Sequence, residues 1–373
     1  MSSIDPTRNP GQDALTDARQ ALQICNACRY CEGYCAVFPA MTQRRAFSDV
    51  DLDYLANLCH GCRGCYYSCQ YAPPHPFHLN LPRVLAEVRG NSYAKYAWPG
   101  PLARLFEHNG LVVSLAVSLS LGLVLALTVL LQDTGVLFAP QRGPGSFYAV
   151  IPHGVMVAVA GTTFGFAVLA LIMGFLRFWT GTGGSLRQLV DPRALGKAVS
   201  DIATLRNLGG GAEGEGCTYP DEAFSNKRRW LHHFMMYGFL LCFAATCVGT
   251  IYDYGFGWVA PYSWYSLPVV MGTIGGMGLL IGPGGLLALK FVADPEPGVR
   301  RQLGMDVALL ALLFLVSLTG LVLLVFRETP AMGILLAIHL GFVLGLFLTL
   351  PYGKFVHSIY RGAALLKAAL ERP

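Results

Sequence analysis

The sequence predicts an all-α protein. A small, helical, cysteine-rich domain spans residues 1–105, and a six-helix transmembrane bundle spans residues 106–373. Three observations carry this expectation. Hydrophobic residues make up 54% and charged residues 13% of the 373, with a mean hydropathy of +0.47, whereas a soluble domain carries about 25% charged residues. Beyond residue 105 the chain is mostly apolar blocks, several near the roughly 20 residues a spanning helix needs. Eight of the eleven cysteines fall before residue 70, in two runs of equal spacing. A single soluble globule and a disordered chain are both excluded.

The first element is the cysteine domain. Its N-terminus (MSSIDPTRNPGQDALTDARQ) is polar and has no apolar signal region, so the domain is expected to stay in the cytoplasm. That compartment is reducing, which makes the cysteines thiolates or metal ligands rather than disulfides. The runs are Cys25-Asn-Ala-Cys28-Arg-Tyr-Cys31-Glu-Gly-Tyr-Cys35 and Cys59-His-Gly-Cys62-Arg-Gly-Cys65-Tyr-Tyr-Ser-Cys69, both C-x₂-C-x₂-C-x₃-C. Three closely spaced thiolates wrap three iron corners of a cubane, and the fourth leaves to ligate the other cluster, as in two-cluster ferredoxins. On that rule Cys25, Cys28, Cys31 and Cys69 hold one [4Fe–4S] cluster, and Cys59, Cys62, Cys65 and Cys35 hold the second. Structural zinc favours two C-x₂-C pairs around one tetrahedron, which eight cysteines in two serial runs fit poorly. Residues 46–58 read as a short helix, so the domain is a helical rather than a β-rich ferredoxin-like unit. His60 reads as a solvated neighbour, and Cys217, Cys242 and Cys247 stand outside the runs.

Six candidate spans follow, at roughly 110–131, 149–178, 231–252, 267–291, 305–326 and 331–350. The fourth is the least regular, being Gly-rich with Pro283 inside it; bilayers tolerate both residues better than water does. With the N-terminus in the cytoplasm, 25 of the 27 Lys and Arg residues lie on the inner side, and only Arg142 and Arg327 lie outside. The positive-inside rule then gives a multi-pass protein embedded in the lipid bilayer with both termini cytoplasmic, and the expected location is the bacterial inner (cytoplasmic) membrane. The net charge of +5 is spread over these loops, so no nucleic-acid partner is expected. In the long inner loop, Ser185–Leu208 mixes apolar and basic residues at helical spacing, as an amphipathic helix on the inner leaflet would; a docking surface for a partner is the alternative reading. A Gly-rich linker follows it.

Histidines in a bilayer are functional candidates by default, and neutral imidazole is a good axial ligand for haem iron. A haem b held by two histidines needs them at one depth on two helices. His232 or His233, at the inner end of the third span, matches His357, just past the inner end of the sixth. His153 and His339 form a candidate outer pair. One or two haems are therefore expected. Adjacent His232 and His233 point about 100° apart on a helix, so only one of them faces a given haem. His108, ahead of the first span, reads as interfacial or as part of a quinone site.

Two resemblances attach to these residues. The stretch His339…Pro351-Tyr-Gly-Lys-Phe-Val-His357 resembles the last helix of the nitrate reductase gamma subunit family, where two histidines serve two b haems. This sequence departs from that family in the third span, where Cys242 and Phe243 stand ten residues after His232 and His233. The chain as a whole resembles the tricarballylate utilisation protein B (TcuB/CitB) family. The carriers are Gln23-Ile-Cys25 through Pro39, Cys59 through Cys69, Gly216-Cys217-Thr-Tyr-Pro220, and Arg228-Arg-Trp-Leu-His232-His233-Phe-Met-Met-Tyr-Gly238-Phe. That resemblance implies an electron-transfer component of a flavoprotein:quinone oxidoreductase system. An FAD-dependent dehydrogenase, here one for tricarballylate, would hand electrons through the clusters and haem b to membrane quinone. No residue of this chain is expected to do acid–base catalysis in the cluster domain. A heterodisulfide-reductase-like subunit and a membrane iron–sulfur redox sensor are the alternative readings.

Overall fold

A computed structural model describes residues 10–106, 109–210 and 217–371. His108 and most of the Gly-rich linker lie outside the described residues. Among these residues the chain is helical apart from one two-stranded ribbon, Cys217–Thr218 against Phe224–Ser225.

The cysteine domain is built on three helices, Pro10–Cys28, Asp49–Leu58 and Leu81–Tyr96. The second starts at Ser48, whose hydroxyl accepts from the Asp51 amide while the Asp51 carboxylate accepts from the Ser48 amide, a capping box that fixes its first turn. The third starts at Asn80, which accepts from the Arg83 amide, with Pro82 in the first turn. Leu22, Leu52, Leu55, Leu58 and Leu85 are buried between them. The same core continues into Phe178 and Trp179 at the end of the second span and into Tyr360, Ala363 and Ala364. The last three belong to a C-terminal helix, Val356–Glu371, whose alanine-rich face lies against the domain. Its end is tied by Arg44 to Glu371 (2.6 Å) and by the Tyr54 hydroxyl donating to Glu371 (3.0 Å).

Six helices are long and apolar enough to cross a membrane: Asn109–Leu131, His153–Gly181, Lys227–Phe256, Leu267–Val292, Arg300–Phe326 and Met332–Thr349. The chain is a multi-pass membrane protein. The second span begins later than the sequence suggested. Ile151-Pro152 breaks it from a short helix, Ser146–Val150, because proline cannot donate to a continuing helix. The fourth span runs unbroken through Pro283. Its glycines account for the close approach of the third span: a Cβ at Gly238 would stand 2.8 Å from the Gly275 carbonyl, and one at Gly278 would stand 2.9 Å from the Phe234 carbonyl. Small residues supply such van der Waals contact where lipid removes the hydrophobic drive. The Ser185–Leu208 segment is shorter than a single helix. Pro192–Ala203 is α-helical, and its Ala194 and Ala198 pack in the cysteine-domain core while Leu195 and Val199 stay exposed.

The loops after the second and fourth spans, together with the C-terminal helix, close around the cysteine domain. Tyr67 donates to Asp294 (2.7 Å), Asn80 to the Glu296 carbonyl (2.9 Å), and Arg63 reaches the Pro220 carbonyl (3.4 Å). The opposite end of the bundle carries an aromatic cluster of Tyr252, Phe256, Trp258 and Tyr262, the composition of a membrane–water interface.

Candidate functional site

Each cysteine run owes its shape to local backbone. Cys25 and Cys28 sit one turn apart at the end of the first helix, so they share a face. Arg29 then takes φ 56°, which stops the helix and turns the chain back through Cys31. In the second run Cys59 caps Asp49–Leu58, Gly61 and Arg63 take φ 60° and 69°, and Cys65 lies in the short helix Gly64–Tyr67. Glycine accepts the left-handed region at no steric cost; arginine does so only where the surroundings hold it. Arg63 is so held, buried with its guanidinium 4.5 Å from the centre of the Tyr219 ring.

The last cysteine of each run lies near the other run. The thiols acting on Cys25 are Cys69, Cys31 and Cys28, and after burial they help push it up to about 12. Cys31, pushed up to about 11, feels burial, Cys69 and Cys28. On the other side Cys35 is raised by burial, then by Cys62 and Cys59; Cys65 is raised by burial, then by Cys62, Cys35 and Cys59, with Cys31 of the first set last. Thiols gathered this closely in a buried place suit a positive centre that offsets their charge as thiolates, which is the donor chemistry of an iron–sulfur cubane. Among the described residues no three His, Cys, Asp or Glu side chains converge as single-ion ligands. A shallow cavity open to solvent is lined by Cys25, Cys28, Cys31 and Cys69, with Cys65 behind them. Backbone amides face the sulfurs: Tyr71 donates to Cys69 (3.4 Å), and Val37 and Phe38 donate to Cys35.

The second set lies against the bundle, and arginines bind its loop. Arg361 donates to the Cys59 carbonyl (3.0 Å), Arg89 to the same carbonyl (2.9 Å), and Arg228 to the carbonyls of Gly61 (2.7 Å) and His60 (3.1 Å). His60 is therefore not solvated: it is half-buried, and burial and then these arginines hold it well below the ordinary histidine range. The ribbon covers the same loop. Thr218 donates to the Cys62 carbonyl (3.0 Å), and the buried Cys217 thiol donates to the Leu208 carbonyl (3.0 Å).

Arg228 stands one turn before His232, and Arg361 one turn after His357. The His232 and His357 rings face each other with centroids 6.3 Å apart and planes at 80°. Two imidazoles that each hold a shared metal at about 2.0 Å place their centroids about 6 Å apart, so His232 and His357 are spaced as residues that would hold one metal centre between them. The His357 Nδ1 lies 2.5 Å from the Lys354 carbonyl, which makes Nδ1 the protonated nitrogen and leaves Nε2 with a free lone pair. Burial, then Arg361 and Lys354, keep His357 neutral, well below the ordinary histidine range. His233 points elsewhere, its ring against Trp230 and Tyr237.

The outer histidines are not brought together in this way. His153 lies 3.2 Å from the Asp253 carboxylate, with its ring against Tyr148 and Tyr254. His339 is bonded to the Thr319 hydroxyl (3.1 Å) and packs on Gly320, where a Cβ would stand 2.9 Å from the ring. Each has its own partners. Of the remaining thiols, Cys242 packs toward Gly275, and Cys247 is exposed on the third span. The sequence drew attention to Arg228 but not to Arg89 or Arg361. Nothing in their spacing relates residues 30 and 302 positions away to one carbonyl.

Comparison with known proteins gives the family. Residues 104–373 match the family described as citrate utilization protein B, and residues 18–95 match its Fer4-like domain. A curated relative from Escherichia coli, "Citrate utilization protein B", is 49% identical over 360 residues, covering 95% of this chain and 92% of its own. No solved structure matches. With nearly its whole length matched and the cysteine runs inside the Fer4-like part, the chain belongs to the citrate utilization protein B family.

Proposed function

We propose that the chain is a membrane-anchored electron conduit. It would take electrons from a reduced FAD-dependent dehydrogenase on the cytoplasmic side and deliver them to membrane quinone, in the utilisation of citrate or a related acid such as tricarballylate. The observation that carries this reading is the link between the cysteine domain and the histidine pair. Arg228 and Arg361, each one turn from a facing histidine, both grip the Cys59–Gly61 loop.

Iron–sulfur clusters and haem, when bound, accept and release single electrons, so that a two-electron flavin oxidation is taken in one-electron steps. Cys25, Cys28, Cys31 and Cys69 would hold the first cluster, at the cavity that opens to solvent. Cys59, Cys62, Cys65 and Cys35 would hold the second, against the bundle. His232 and His357 would hold one haem b. The donor protein would dock over Arg29, Tyr30 and Gln70, which rim the open cavity; Tyr30 is 68% exposed. Three guanidinium groups around the second loop favour an added electron there over one at the rim, which orders the two sites in the direction of the membrane.

The test is a reduced-minus-oxidised visible spectrum of the detergent-purified protein, reduced by dithionite and then mixed with a quinone. A b-type band at one haem per chain that bleaches on quinone addition is the expected result. His232→Leu and His357→Leu should each abolish the band, while His233→Leu should retain it. A preparation with full iron and sulfide content but no haem band in the wild type would overturn the histidine assignment.

A further inference from the structure

Arg89, Arg228 and Arg361 converge on the loop of the second cysteine set with no acid among them. Arg89 and Arg361 donate to one oxygen, that of Cys59, and Arg228 donates to the next two carbonyls, of His60 and Gly61. None of the three lies within ion-pair distance of an Asp or Glu among the described residues. By contrast, Arg44 has Asp51 and Glu371, and Lys290 and Lys354 share Asp306. A carbonyl occupies a guanidinium N–H without neutralising its charge, and like charges gathered away from water are costly until a counter-charge offsets them. These guanidiniums also have more N–H groups than the carbonyls use. Arg89 is 8% exposed, and its Nε has no hydrogen-bond partner among the described residues.

Two of the three arginines share helix faces with the facing histidines. Arg228 and His232 are four residues apart on the third span, and His357 and Arg361 are four apart on the C-terminal helix. That spacing puts each guanidinium on the face of its histidine, about 6 Å along the axis. Both arginines reach the Cys59–Gly61 loop, so both stand on the cysteine-domain side of the histidine pair. The two rings and the two arginines are all half-buried. Tyr219 holds Arg228 in place, its ring centre 4.9 Å from the guanidinium. A group held between the rings therefore meets two guanidiniums along one edge. Guanidinium matches carboxylate, which it binds through paired hydrogen bonds. We propose that Arg228 and Arg361, backed by Arg89, form an anion site for the two propionate carboxylates of a b-type haem held by His232 and His357. The proposal rests on the conduit reading above and adds the orientation: the carboxylate edge is toward the Cys59–Gly61 loop. The thiolates of the second cysteine set are the other source of negative charge near these arginines, and the test separates the two.

The experiment compares haem b with its dimethyl ester, in which methyl groups cancel both carboxylate charges and the ring is unchanged. The full chain is produced in haem-deficient cells, purified in detergent, and titrated with each haem at the Soret band. The wild type should bind haem b at least about tenfold more tightly than the ester, as the loss of charged hydrogen bonds implies. Arg228→Met and Arg361→Met should each weaken haem b by about tenfold and leave the affinity for the ester unchanged. A merely structural role would weaken both haems equally, and that result counts against the site. Equal wild-type affinity for the two haems overturns the site and leaves the conduit intact, the guanidinium charge then serving the cysteine set alone. Binding of neither haem by a wild type with full iron and sulfide content overturns the histidine assignment and this site with it. The wild-type comparison needs no variant, so it decides the matter even where a variant fails to fold.

Discussion

Arg361 shows how one side chain carries both structure and function. It leaves the helix that bears His357, is surrounded by protein, and donates to the Asn57 and Cys59 carbonyls. Burial, followed by the neighbouring Arg89, pushes its pKa down to about 10, still well above neutral, so its charge persists beside the second cysteine set. Replacing it by Leu removes that charge and frees the loop. The second cluster should then become harder to reduce by about 60 mV, a tenfold change in a one-electron equilibrium. The first cluster should move far less. An EPR-monitored redox titration of Arg361→Leu checks this, and equal shifts at both clusters would contradict it. A second residue-scale expectation concerns Asp51. Burial raises its pKa, but the Ser48 hydroxyl and the Arg44 guanidinium outweigh burial, and the net direction is down. A carboxylate depressed on folding stabilises above its unfolded pKa of about 3.9 and loses that contribution as pH falls through the folded value. Hydrogen-exchange protection at Val356–Glu371, corrected for the intrinsic rate at each pH, should therefore be high at pH 5 and fall below about pH 4, since Arg44 links Asp51 to Glu371. If that protection is the same at both, the link is not what holds the helix.

At the scale of elements, the C-terminal helix and the glycine seam are the two decisive contacts. The helix presents Tyr360, Ala363 and Ala364 to the cysteine domain and His357 to the bundle. Arg44→Met removes the charged hydrogen bonds to its last turn and should cost about 2 kcal/mol, seen as a lower thermal midpoint of the domain with the bundle unaffected. The seam between the third and fourth spans leaves no room for a methyl group. At Gly282 an added Cβ would overlap the Met235 backbone, and at Gly275 it would stand 2.8 Å from the Cys242 sulfur. Gly282→Ala should lower stability by about 1–3 kcal/mol, as overpacking does. It should also loosen haem retention, because Met235 lies one turn from His232. Thermal scans in detergent, read at the haem band, measure both effects.

At the scale of the molecule, the cysteine domain is clasped rather than tethered. Tyr67 with Asp294, Asn80 with Glu296, Thr218 with Cys62, and Arg361 with Cys59 join it to two loops and the C-terminal helix. The arrangement puts the solvent-facing cysteine set at the rim and the arginine-bound set over the histidine pair. Such a clasp holds redox sites in fixed relation without a flexible linker, and it predicts that the parts do not act separately. Cleaving the bundle from the domain after residue 105 should leave a fragment whose second cysteine set lacks Arg228, Arg361 and the Cys217–Thr218 ribbon. That fragment should retain the first iron–sulfur signal better than the second, as judged by iron content and EPR.

The sequence by itself determined the helical class, the spanning segments and the cysteine runs, because each depends on local spacing: an apolar block of bilayer length, or three thiols within seven residues. It also narrowed the histidines by depth, since rise per residue is fixed along a helix. Tertiary structure decided what spacing leaves open. It turned His232 rather than His233 toward His357 and gave His153 to Asp253 and His339 to Thr319. It also drew Arg89, Arg228 and Arg361 from three distant helices onto one loop. A helix fixes the angle between its own side chains, but the direction in which the whole set points is set by the packing of its neighbours.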